Sequence, residues 1–173
     1  MITITKRLLL ISVVGIYLGG CSHHYVPDPS TFDFEEIDEF VSTKSITIVN
    51  DQPFADDVLF LSARGHDHYG NFQKWTEIAI VITKRELTKR GMNVVNKSPK
   101  LLKMAIMSAE GSMGFWQAFC EISLKVETGN GYVNTYFAKA GSPATIYRPV
   151  DGAVMRVVAV MLRDQKIIRY LQE

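Results

Sequence analysis

The chain has 173 residues, 47% hydrophobic and 21% charged, which suits one ordinary globular domain and excludes a disordered or collagen-like chain. Its formal charge is +1, and without Lys6 and Arg7 it carries 17 basic against 18 acidic side chains. A balance so close to neutral excludes the basic face that nucleic acid requires.

Lys6 and Arg7 precede an eleven-residue run from Leu8 to Leu18, apolar except at Ser12 and Gly15, and then Gly19, Gly20 and Cys21. A positive start, a short apolar middle and small residues make a secretory signal peptide, and the run is too short to span a bilayer comfortably. The ending Leu18-Gly19-Gly20-Cys21 resembles the bacterial lipobox. That resemblance implies removal of residues 1–20 and acylation of Cys21. The acyl chains would tie the mature protein to a membrane, each buried CH₂ contributing roughly 0.8 kcal/mol. Ser22, rather than Asp, follows the cysteine, and by the same resemblance this implies an outer-membrane address facing the periplasm. The chain has two cysteines. With Cys21 acylated, Cys120 has no intramolecular partner, and a disulfide framework is excluded.

Residues 22–31, with Pro27 and Pro29 and no apolar period, read as a tether. Asp33, Glu35, Glu36, Asp38 and Glu39 then surround Phe34, Ile37, Phe40 and Val41 at helical spacing, predicting a short acidic surface helix. Residues 21–43 are thus expected to be lipidated cysteine, tether and acidic helix, and 44–173 a single α/β domain. Ser45 to Asn50 is β-branched and predicts a strand, and Val58 to Ser62 a second. Residues 51–57 and 64–70 read as loops. Asn71 can cap a long helix to about Arg90, with Phe72, Trp75, Ile78, Ala79 and Ile82 as its apolar stripe and Gly91 after its end. Residues 92–96 and 101–113 predict strands, the second irregular near Gly111 and Gly114. Ala118, Cys120, Ile122, Leu124 and Val126 alternate with polar neighbours. This period of two predicts a strand with Cys120 inward, a buried and inert thiol. Gly129-Asn130-Gly131 supplies a hairpin turn, and residues 132–140 the return strand. Val150, Ala153, Val154, Val157, Val158, Met161 and Leu162 then form the stripe of a last long helix, with Asp151 in its first turn. The fold class is α+β: a two-layer sandwich, mainly antiparallel sheet with two long helices on one face.

Candidate chemistry is sparse. His66 and His68 could ligate a metal, but a zinc site needs three or four ligands, and the others would have to come from Asp56, Asp57 or the distant His23 and His24. A solvated polar loop is the simpler reading. No nucleophile elbow, zinc-protease helix or phosphate loop is present. No catalytic residue, cofactor-binding residue or metal site is therefore assigned. Phe115, Trp116 and Phe119 stand out as a partner surface, because Phe119 falls on the outward phase of its strand. Cross-strand packing is the plainer alternative.

Several phrases carry a wider resemblance. They are the lipobox, the helix end Leu87-Thr-Lys-Arg-Gly-Met-Asn-Val94, the strand pair, and Asp151-Gly-Ala-Val-Met-Arg-Val-Val158 leading to Leu162 and Asp164. Together they resemble small periplasmic lipoproteins of the YajG kind, among α/β lipoprotein domains that include penicillin-binding-protein activators and relatives of the TolB N-terminal domain. The resemblance implies no cofactor and no catalytic residues, and action by binding envelope partners. The expected function is a non-enzymatic, lipid-anchored adaptor or assembly factor. The alternatives are a ligand-binding accessory lipoprotein of a transport system, or a metal-dependent hydrolase at His66 and His68.

Overall fold

The structure, a computed structural model, describes residues 21–28, 30 and 40–173. The expected leader, and the acidic helix up to residue 39, lie outside the described residues. The elements are β1 (Cys21–Tyr25), β2 (Ser45–Asn50), β3 (Asp57–Ala63), β4 (His66–Asn71), α1 (Phe72–Lys89), β5 (Asn93–Val94), β6 (Leu101–Met113), β7 (Ala118–Thr128), β8 (Val133–Ser142), α2 (Tyr147–Leu162) and α3 (Gln165–Gln172). The class is α+β, as expected.

A five-stranded sheet in the order β5-β2-β6-β7-β8 carries the core. Its long strands pair antiparallel, from Leu102 opposite Thr128 to Met113 opposite Ala118, and from Glu127 opposite Val133 to Ala118 opposite Ser142. The inward residues of β7, including Cys120, Ile122 and Leu124, are fully buried. α1 packs on β2 and β6, α2 on β7 and β8, and the helices touch each other. They therefore cover the same face, which makes two layers. Trp75, Ile82, Leu87, Val154, Val157 and Met161 fill the space between helices and sheet with side chains 0–1% exposed. Burying each such side chain contributes roughly 1.5–3 kcal/mol.

The ends of α1 follow local rules. Asn71 accepts the N–H of Lys74, and Gly91 takes φ +86° after the last turn. Asp164 likewise caps α3 by accepting the N–H of Lys166. α2 begins at Tyr147, two residues before the expected Pro149, so Asp151 lies beyond the first turn. Its carboxylate serves a contact described below rather than the helix dipole.

Three expectations are corrected. Residues 21–25, expected as the start of a tether, form β1, because the open edge of β4 offers parallel backbone partners from Cys21 opposite His66 to Tyr25 opposite Gly70. Residues 66–70, expected as loop, form β4 together with Asn71, and this strand pairs with β3 across the turn at Arg64 and Gly65, both at positive φ. Polar composition hid this strand, since His, Asp and Asn replace the usual β-branched residues. β1, β4 and β3 thus make a second, three-stranded sheet. The irregularity in β6 lies between Ile106 and Ser108, not at the glycines. Antiparallel pairing holds the long strands, and β2 runs parallel to both β5 and β6, with α1 supplying the crossover that parallel pairing requires.

β3 travels beside β6. At one end Asp57 pairs with Asn71, next to the first turns of α1, where Gln73 O accepts the Asn50 amide and Thr76 Oγ1 accepts the Ile106 N–H. Four residues on, β3 crowds Gly111, where an added Cβ would lie 2.8 Å from Leu61 Cβ and 3.2 Å from Phe60 O. That approach needs glycine and explains Gly111 without any phosphate loop. The free ends of β3 and β6 therefore point to the same pole of the molecule.

Candidate functional site

Two features share that pole. The first is the start of β1. Cys21 is exposed and unpaired with Cys120, which is fully buried elsewhere. Its N–H donates to Gly65 O at 3.3 Å, which sets it beside the β3–β4 turn. β1 is held at its far end. The Tyr25 hydroxyl and the Asp28 N–H both donate to Asp151 Oδ1, at 2.7 and 2.9 Å. The Trp75 indole N–H donates to Tyr25 O at 2.8 Å, and the Tyr25 ring stacks on Tyr147 at 4.5 Å. Burial and the Asp151 charge push the Tyr25 hydroxyl well above its ordinary pKa.

The parallel register of β1 with β4 assembles three imidazoles. His23 Nε2 lies 2.9 Å from His66 Nδ1, and the His23 and His68 rings stack at 5.0 Å. His68 is 8% exposed, and its Nδ1 has no hydrogen-bond partner. Burial first, then the neighbouring His23 and His66, lowers its pKa. On the opposite phase of β1, His24 Nδ1 meets Asp57 Oδ2 at 2.7 Å. Asn71 and then His24 hold the Asp57 carboxyl below its usual range. Of the ligands weighed from sequence, the structure thus brings His23 to His66 and His68. Among the described residues, no group of three His, Cys, Asp or Glu side chains is arranged to hold a metal ion.

The second feature is the apex of the β6–β7 hairpin. Gly114 N–H donates to Gln117 O at 2.8 Å, which closes residues 114–117 into a turn. Phe115 and Trp116 sit at its tip, 84% and 81% exposed, packed edge to face at 4.7 Å. Phe119 lies close by but is half-buried: Lys139 Nζ sits 5.0 Å from its ring, and Gly141 leaves room for its edge. The three aromatic residues singled out from sequence are therefore neighbours, with only Phe115 and Trp116 fully presented. The Cys120 thiol is pushed up to about 12 by burial, which leaves it unreactive.

Sequence reasoning missed the Tyr25–Asp151 tie, whose partners lie 126 residues apart. No spacing rule reaches that far. The surface also holds a cleft of about 440 Å³ lined by Ile48, Val49, Lys84, Thr88 and Val95, and one of about 430 Å³ between Phe40 and Arg90.

No family model and no curated protein matches the chain. Solved structures do. A DUF330 protein from Xanthomonas campestris is 10% identical, covering 87% of this chain and 94% of that one, with a TM-score of 0.47. A PelC dodecamer from Paraburkholderia phytofirmans is also 10% identical, with 77% and 97% covered and a TM-score of 0.38. Lipoprotein GNA1162 from Neisseria meningitidis is 16% identical, with 66% and 94% covered and a TM-score of 0.35. At such scores these likenesses carry no argument about what the chain does. No helix among the described residues is long and apolar enough to cross a membrane.

Proposed function

We propose that this chain is a lipid-anchored envelope lipoprotein of the YajG-like kind, a non-enzymatic adaptor or assembly factor. Acyl chains on Cys21 hold it to the periplasmic face of the outer membrane, and the domain binds an envelope protein. The observation that carries the reading is the placement of Cys21. It follows a lipobox-like sequence, stands exposed at the start of β1, and has no disulfide partner. An acylated sulfur there can enter a bilayer without disturbing the core. No cofactor is needed in this reading. Its protein-contact surface is the open face of the five-stranded sheet, where Phe137 is 61% exposed opposite Ser123.

Cell fractionation with mass measurement tests the anchor. The natural protein should sediment with outer membranes and carry acyl chains at residue 21. Cys21→Ala should leave the outer-membrane fraction. An unmodified sulfur on the natural protein would remove the reading. Photo-crosslinkers at Phe137 should trap an envelope protein in intact cells, and repeated failure across growth conditions would remove the adaptor role.

A further inference from the structure

We infer that the Phe115–Trp116 apex is a second membrane contact, seated in the lipid interface beside the anchor. The inference rests on the proposed acylation of Cys21 and adds where the domain touches the bilayer and how it is oriented.

Position is the first support. Cys21 lies at the β3–β4 turn, and β3 runs with β6 toward the apex, so anchor and aromatic tip occupy one pole. Laterally they are separated by the step from β1 to β4, the step to β3, and the contact of β3 with β6. At about 4.8 Å for each of the two hydrogen-bonded steps and up to about 10 Å for the packed one, this is roughly 15–20 Å. A lipid chain leaving Cys21 and the tip can therefore reach the same leaflet together.

Composition is the second. Exposed hairpin tips ordinarily use Gly, Asn, Asp, Pro or Ser, which suit turn geometry and water. Here the two tip residues are bulky aromatics, although neither has the positive φ that would demand a special residue. They pack on each other and on nothing that hides them. Phe and Trp favour the headgroup boundary, where an apolar ring and a polar indole edge are both accommodated.

Charge is the third. Residues 111–120 contain no charged side chain, so the tip can enter the interface without stripping water from an ion. The Gly114–Gln117 hydrogen bond satisfies backbone groups that would otherwise be desolvated. Acyl chains on a single residue hold the protein to the bilayer but do not by themselves set the orientation of the domain. A wedge beside the anchor fixes the pole toward the membrane and turns the open sheet face sideways, toward partners.

The chain contains its own probe. It has two tryptophans, of which Trp75 is fully buried and Trp116 is 81% exposed. The purified acylated protein is inserted into phosphatidylethanolamine–phosphatidylglycerol vesicles with bromine-labelled acyl chains. Trp116 emission should shift to the blue, become shielded from iodide, and be quenched several-fold more by bromine near the headgroups than by bromine near the chain ends. Trp116→Ser should abolish all three responses, while unchanged Trp75 emission confirms its fold. If the acylated protein floats with vesicles but Trp116 stays open to iodide, the wedge is refuted and the anchor stands. If no acyl chain is found and nothing floats, anchor and wedge fall together. If Trp116 is shielded only when another envelope protein is added, the tip is a protein contact and the inference is overturned.

Discussion

Replacing Tyr25 by Phe removes one hydroxyl and should loosen the anchor strand without unfolding the domain. The hydroxyl donates to the 3%-exposed Asp151 at 2.7 Å. A hydrogen bond to a charged acceptor contributes about 1.5–3 kcal/mol. The Trp75 indole bond to Tyr25 O, the ring stack on Tyr147 and the Asp28 N–H bond to Asp151 survive the change. β1 should therefore stay docked but open more often. By the tenfold-per-1.4 kcal/mol rule, exchange of its backbone amides should accelerate about 10- to 100-fold. Amides in β6, β7 and β8, which do not depend on this contact, should keep their rates. Native-state hydrogen exchange read by mass spectrometry or NMR makes the measurement. Should the β1 amides exchange at the parent rate, the hydroxyl is no pin, and the account of β1 as a tied-down strand fails.

Asp164 accepts hydroxyls of Tyr132 and Tyr136 at 2.7 Å each and caps α3. Asp164→Ala should cost about 2–4 kcal/mol, combining a lost cap with two lost bonds to a partly solvated carboxylate. Asp164→Asn keeps the cap and should cost about half as much; a urea midpoint for Asp164→Asn as low as that of Asp164→Ala would refute the share given to the cap, and one equal to the parent's would show that the charge contributes nothing. His68 titrates near pH 6.5 when unfolded, and its folded pKa is lower. The unfolded state thus binds the proton first, so stability is intact above about pH 6.5 and declines as pH falls from there toward the folded value. His68→Phe should flatten the unfolding midpoint between pH 7 and 5, and an unchanged slope would assign the pH dependence to other groups.

The helix caps and the period of β7 were legible because each is written in residues close together along the chain. Asn71, Gly91 and the run from Ala118 to Val126 act on their own neighbours, and the structure puts them where that chemistry requires. β4 was illegible for the opposite reason. Its sequence His-Asp-His-Tyr-Gly-Asn has no strand pattern, and it becomes a strand because β3 and β1 offer it backbone partners.

By itself, the sequence determined the two long helices, the long strands and the inward side of their hairpin, and it supplied the candidate anchor, since periodicity and capping are local. The tertiary structure decided which distant segments meet. It tied Tyr25 to Asp151, gathered His23 with His66 and His68, ran β2 parallel to β6, and brought Cys21 to the same pole as Trp116. Those outcomes depend on how strand edges and helix faces find mutual burial across the whole chain, and no short stretch of sequence carries that information.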